Sequence, residues 1–93
     1  MIFQNKITSL IKAMRHHIAG KRIAPVDSED LKRLCDVAEQ TPPSADMSAI
    51  ITAFRAQAQN VGVLAVLTDR FTLLLTEAEK AIASNPSLDD HTT

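Results

Sequence analysis

Apolar side chains recur at three- and four-residue steps in four stretches of the chain, and each stretch predicts a helix. In residues 2–18, Phe3, Ile7, Leu10, Ile11, Met14 and Ile18 fall on one stripe of a 3.6-residue turn. Gly20 suits the C-terminal cap of that helix, and Lys12, Arg15, Lys21 and the His16-His17 pair lie toward the negative end of its dipole. The segment KRIAPV, residues 21–26, reads as a connection, because Pro25 biases Ala24 away from helical geometry. Asp27 then stands as a cap, with Glu29 and Asp30 in the first turn and Val26 and Leu31 at staple spacing. Leu31, Leu34, Cys35 and Ala38 carry this second helix to about Gln40, where Thr41-Pro42-Pro43 stops it. Ser44 or Asp46 caps a third helix with Met47, Ile50, Ile51 and Phe54 on its apolar side.

The segment Val63 to Ala83 carries the strongest pattern. Leu64, Leu67, Phe71, Leu74, Ala78 and Ala81 follow a 3-4-3-4-3 spacing, which predicts a coiled-coil-like seam. Leu75 and Ile82 widen the seam, while Val66 and Leu73 project away from it toward Arg70 and Lys80. At Asn60-Val61-Gly62 the chain either breaks or continues as one rod from 46 to 84. Such a rod would be roughly 58 Å long at 1.5 Å per residue, which only a dimer would accommodate. The break is favoured, since Asn caps helices and mid-helix Gly costs about 1 kcal/mol relative to Ala. No stretch alternates at period two for long enough to predict a strand. The expectation is all-α: a small bundle of three to four helices whose last helix is long and seamed. Residues 1–84 form one domain, and 85–93 form a polar tail that frays.

Composition narrows the class. A chain of 93 residues, 45% apolar and 23% charged, matches one globular domain rather than a disordered one. The longest apolar run, Val61 to Leu67, is far short of the roughly twenty residues a membrane span needs. One cysteine cannot build an intrachain disulfide, so the expected setting is cytoplasmic. Two glycines leave no phosphate-cradling loop, which excludes Rossmann and P-loop chemistry.

Charge is unevenly spread although its formal sum is only -1. Residues 1–22 hold five bases and no acid, whereas 23–46 hold six acids against Lys32 and Arg33. Pairing between the basic end and the acidic middle, within the fold or across a dimer, is the expected use of this asymmetry. The alternative is an anionic partner, met by Lys6, Lys12, Arg15, His16, Lys21 and Arg22. The absence of Trp and Tyr argues against base stacking on single-stranded nucleic acid. A helix-turn-helix is disfavoured as well. The 20–26 connection is long, and the helix after it opens with acids that would meet base edges.

Catalytic and metal chemistry find little footing. Neighbouring helical residues point about 100° apart, so His16 and His17 cannot share a metal, and no further ligands stand at matching spacing. Cys35 lies on the buried stripe, where a thiol behaves as a small hydrophobe. Glu29-Asp30, Glu77 with Glu79, and Asp89-Asp90 are accounted for by capping, a solvated helix face and the tail. No catalytic residue, metal or cofactor is expected.

The stretch NVGVLAVLTDRFTLLLTEAEKAIA resembles small accessory proteins of temperate bacteriophages, which end in similar Leu/Ala/Glu helices. It spans about a quarter of the chain and implies a bacterial or phage setting, with no residue roles carried over. The function expected is a non-enzymatic protein-interaction module (adaptor, inhibitor or chaperone-like accessory protein) that docks helix on helix. Its partner-binding residues would be Val66, Arg70 and Leu73, and the apolar arc of the last helix would make it a homodimer. The second class is a nucleic-acid or anionic-surface binder that uses the basic first helix.

Overall fold

The computed structural model describes residues 7–40, 42, 44–59 and 62–88, and within them the chain runs helix, strand, helix twice. Helix α1 (Ile7–Ile18) leads through strand β1 (Ile23–Asp27) into α2 (Ser28–Ala38), and α3 (Ala45–Gln57) leads through β2 (Val63–Leu67) into α4 (Thr68–Ser84). A single 3₁₀ turn, Pro86–Leu88, follows. Helices hold 72% of the described residues, so the mostly helical expectation stands and the strictly all-α one does not.

The helix signals act as their chemistry requires. Gly20, at φ 76°, takes the left-handed conformation that closes α1. Asp27 caps α2 by accepting the Glu29 N–H at 3.0 Å, and Ser44 rather than Asp46 caps α3 by accepting the Met47 N–H at 3.2 Å. Buried Ile7, Ile11 and Ile18 of α1 confirm its stripe, whereas Phe3 and Lys6 lie outside the described residues, as do Thr41, Pro43, Asn60, Val61 and the tail beyond Leu88.

The two strands correct the sequence reading in two places. The 21–26 connection is not a loop but mostly β1, and the last helix begins at Thr68, five residues later than its apolar pattern suggests. A short run such as Val63-Leu64-Ala65-Val66-Leu67 satisfies helical and strand spacing equally, and here the antiparallel partner decides. Ile23 pairs with Leu67, Pro25 with Ala65, and Asp27 with Val63. The one-rod alternative fails with it, since the molecule extends at most 33 Å. The seam is shortened accordingly. Phe71, Leu74, Ala78 and Ala81 are buried, but Leu67 is not, so it is no core residue.

The halves are copies of one design. β1 and β2 stand 40 residues apart end for end, and so do the starts of α2 and α4 at Ser28 and Thr68. The same offset relates buried Leu31 to Phe71, Leu34 to Leu74, Cys35 to Leu75 and Ala38 to Ala78. It also relates hydrogen bonds. The Ser28 N–H donates to the Gly62 carbonyl at 2.8 Å and the Thr68 N–H donates to the Arg22 carbonyl at 3.0 Å, extending the ladder by one step at each end. The alternation of an antiparallel ladder then places Pro25 and Ala65 in a pair that exchanges no hydrogen bonds, so the missing N–H of Pro25 costs the sheet nothing. Their outward carbonyls are served from the preceding helices: His17 Nε2 donates to Pro25 at 3.0 Å and Gln57 Nε2 to Ala65 at 2.7 Å.

One core lies between the halves. α2 and α4 cross it side by side, with Ala38 and Ala78 fully buried, and Phe54 meets Phe71 edge to face at 6.1 Å. The duplication extends to the surface ion pairs. Arg15 reaches Glu79 at 2.6 Å and Thr76 at 3.2 Å, and Arg55 reaches Glu39 and Asp36 at the equivalent positions. Both pairs tie the first helix of one half to the last helix of the other. They remain partly solvated, so Arg15→Ala and Arg55→Ala are each expected to lower stability by only about 0.2–1 kcal/mol, with additive effects in the double variant. Urea titration of the three variants measures this. An Arg→Ala loss several times that range would mean that the pairs, not the core, hold the halves together.

Candidate docking surface

The two strands bury one face and show the other. Ala24, Val26 and Val66 point into the core, while Ile23, Pro25, Ala65, Val63 and Leu67 face outward. Exposure reaches 58% at Ile23, 70% at Val63 and 53% at Leu67. Register pairing sets Ile23 beside Leu67, so these large side chains form one contiguous apolar patch rather than scattered single residues. Asp27, opposite Val63, is the only charged residue on this outer face of the strands.

The patch continues into a cleft of about 300 Å³. Ile50, Ala53 and Phe54 of α3 form one wall, Ala65 and Leu67 of β2 the other, and Arg70 closes the α4 end. Leu73 is 51% exposed one turn beyond Arg70 and shares its side of the helix at i,i+3 spacing. The outer sheet face, the cleft and the Arg70–Leu73 edge therefore adjoin one another around β2.

Of the three apolar-site residues expected from sequence, Arg70 and Leu73 are exposed at this surface and Val66 is not. Val66 sits at 2% exposure in the strand's inward position, because the period there is two and not 3.6. Sequence reasoning missed Ile23, Val63 and Leu67. The signal was present in Thr68-Asp69, a hydroxyl–acid pair inside the expected helix that mirrors Ser28-Glu29 at the start of α2.

The described residues of the expected anion-binding set lie on α1 and the segment after it. Lys6 lies outside the described residues, and Arg15 is occupied by Glu79 and Thr76. Lys12, His16, Lys21 and Arg22 are exposed, with the Lys21 and Arg22 carbonyls held by Thr68. Among the described residues, no ion pair joins the basic end to the acidic middle. Arg15 goes to the last helix, while Asp36 and Glu39 go to Arg55, and Glu29 and Asp30 to Lys32 and Arg33 of their own helix.

Cys35 is fully buried, and that burial pushes its thiol up to about 12, so almost no thiolate forms near neutral pH. Among the described residues no three metal-ligating side chains converge, and no helix is long and apolar enough to cross a membrane. No family model, curated protein or solved structure matches the chain.

Proposed function

We propose that this chain is a non-enzymatic protein-interaction module whose docking surface is the outer face of its sheet and the adjoining α3–β2–α4 cleft. The observation that carries the reading is the exposed register pair Ile23–Leu67 with Val63 on the same face. Large aliphatic side chains held side by side in water favour association, since covering them releases their hydration water. The cleft receives an apolar side chain or helix edge, and Arg70 offers a charged rim contact. A fully buried Cys35 with a raised thiol pKa supports the non-enzymatic half of the reading, and an unpaired buried thiol suits a cytoplasmic setting.

A photo-crosslinking amino acid placed at position 67 and, separately, at position 12 tests this in the native host. Adducts are expected from position 67, with none from position 12, and Ile23→Asp should abolish them while leaving the circular dichroism spectrum unchanged. The anionic-partner alternative has its own signature, because counterion release makes nucleic-acid affinity fall steeply with salt. Salt-sensitive DNA retention lost in a Lys12→Glu/Lys21→Glu/Arg22→Glu variant, with no adducts from position 67, would replace the protein-docking reading.

A further inference from the structure

We infer that the occupant of this surface is a second copy of the chain, packed face to face across a two-fold axis so that Arg70 of each copy meets the partner's Asp30. The inference rests on the docking reading above and adds the identity of the partner and the contacts that orient it.

The argument starts from the duplication. Residues 30 and 70 are equivalents under the 40-residue offset that relates the strands and helix starts, so they stand on opposite sides of the local two-fold passing between Pro25 and Ala65. One is an acid and the other a base. The apolar face is thus flanked by opposite charges at symmetry-related positions. A second copy turned about an axis lying between the two faces, at right angles to the line joining positions 30 and 70, sets base on acid at both ends. The apolar strands meet in the middle. Because a two-fold contact repeats itself, each Arg70–Asp30 pairing occurs twice.

The charges are poised for such a contact. Arg70 pairs with no carboxylate among the described residues. Asp30 has Arg33 only at 3.9 Å, and its carboxyl is pushed above its ordinary range by burial first and by Asp27 next. A guanidinium arriving from outside supplies the compensation that the monomer lacks. Face-to-face packing also covers Ile23, Val63 and Leu67 in one step, three of the four large apolar side chains left exposed among the described residues, with Leu73 the fourth.

Sedimentation analysis from low to high micromolar concentration tests the arrangement. The unmodified chain is expected to dimerise with increasing concentration, and Leu67→Asp to be a folded monomer. Arg70→Glu and Asp30→Lys should each weaken the dimer about tenfold, since each turns two attractive contacts repulsive. The double charge swap should restore most of the affinity. Should Asp30→Lys disturb the first turn of α2, Arg70→Glu alone still reports, because it lies outside that helix. An unmodified monomer at high micromolar concentration overturns the inference. So does a dimer indifferent to Leu67→Asp, or a double swap no better than the single changes. Adducts from position 67 to a different protein, none having twice the chain's mass, would overturn the second copy and leave the docking function standing.

Discussion

Phe71→Ala is expected to remove about 3–5 kcal/mol of unfolding free energy, the largest loss of any single truncation considered for this chain. Phe71 is fully buried, touches Phe54 edge to face, and stands where α4 of the second half meets α3 of the same half and the core shared with α2. Truncation forfeits the transfer energy of the ring and leaves a cavity that the surrounding core closes only in part. Denaturant unfolding monitored by far-ultraviolet circular dichroism provides the measurement. Leu67→Ala is the internal comparison. Its side chain is half in water, so its loss should stay well under that of Phe71 despite their neighbouring places in the apolar spacing. Equal losses at the two sites would mean that residues 63–67 are core helix after all.

Thr68→Val isolates a single hydroxyl and should cost about 1–2 kcal/mol. The Thr68 side chain is buried, and its Oγ1 donates to the Lys21 carbonyl at 2.5 Å with the Arg22 carbonyl at 3.1 Å. Valine keeps the shape and the backbone N–H to Arg22, so the change removes only the side-chain part of the link between the start of α4 and the segment before β1. α4 has no side-chain cap of its own, which makes this cross-strand anchor its N-terminal support. Ser28→Ala, the equivalent change in the other half, should cost less. There the hydroxyl accepts from the Gly62 N–H at a longer 3.3 Å, and Asp27 already caps α2. Thermal unfolding of the two variants side by side checks the order, and a reversed order would show that the two anchors do not act locally.

Helix identity was legible wherever local chemistry sufficed. The stripe of α1, the Asp27 cap, the Ser44 cap and the Pro42 stop each depend on residues within one or two turns, and those interactions are the same in any fold. Burial of Leu31, Leu34, Cys35 and Ala38, and of Phe71 through Ala81, follows from periodicity over complete helices. Arg70 and Leu73 were likewise recognisable as positions that the apolar seam leaves outside.

The strands were decided by tertiary structure alone. A five-residue apolar segment has no preference strong enough to choose between helix and sheet, and only the presence of a second such segment at the right offset makes the ladder. Choosing the ladder turned Val66 inward and Leu67 outward, since side chains alternate along a strand, and thereby created the docking surface. The pairing of Arg15 with Glu79 was equally out of reach, because charge counts along a chain do not say which helices cross. The duplication connects the two levels. Its traces, Ser28-Glu29 against Thr68-Asp69 and Arg15 against Arg55, are written in the sequence, but too few residues are identical for the repeat to be read without the fold that makes them equivalent. Local capping and periodicity belong to the chain by itself; strand pairing, and with it every exposed apolar residue of the sheet, depends on contacts across 40 residues, and those exist only once the two halves have met.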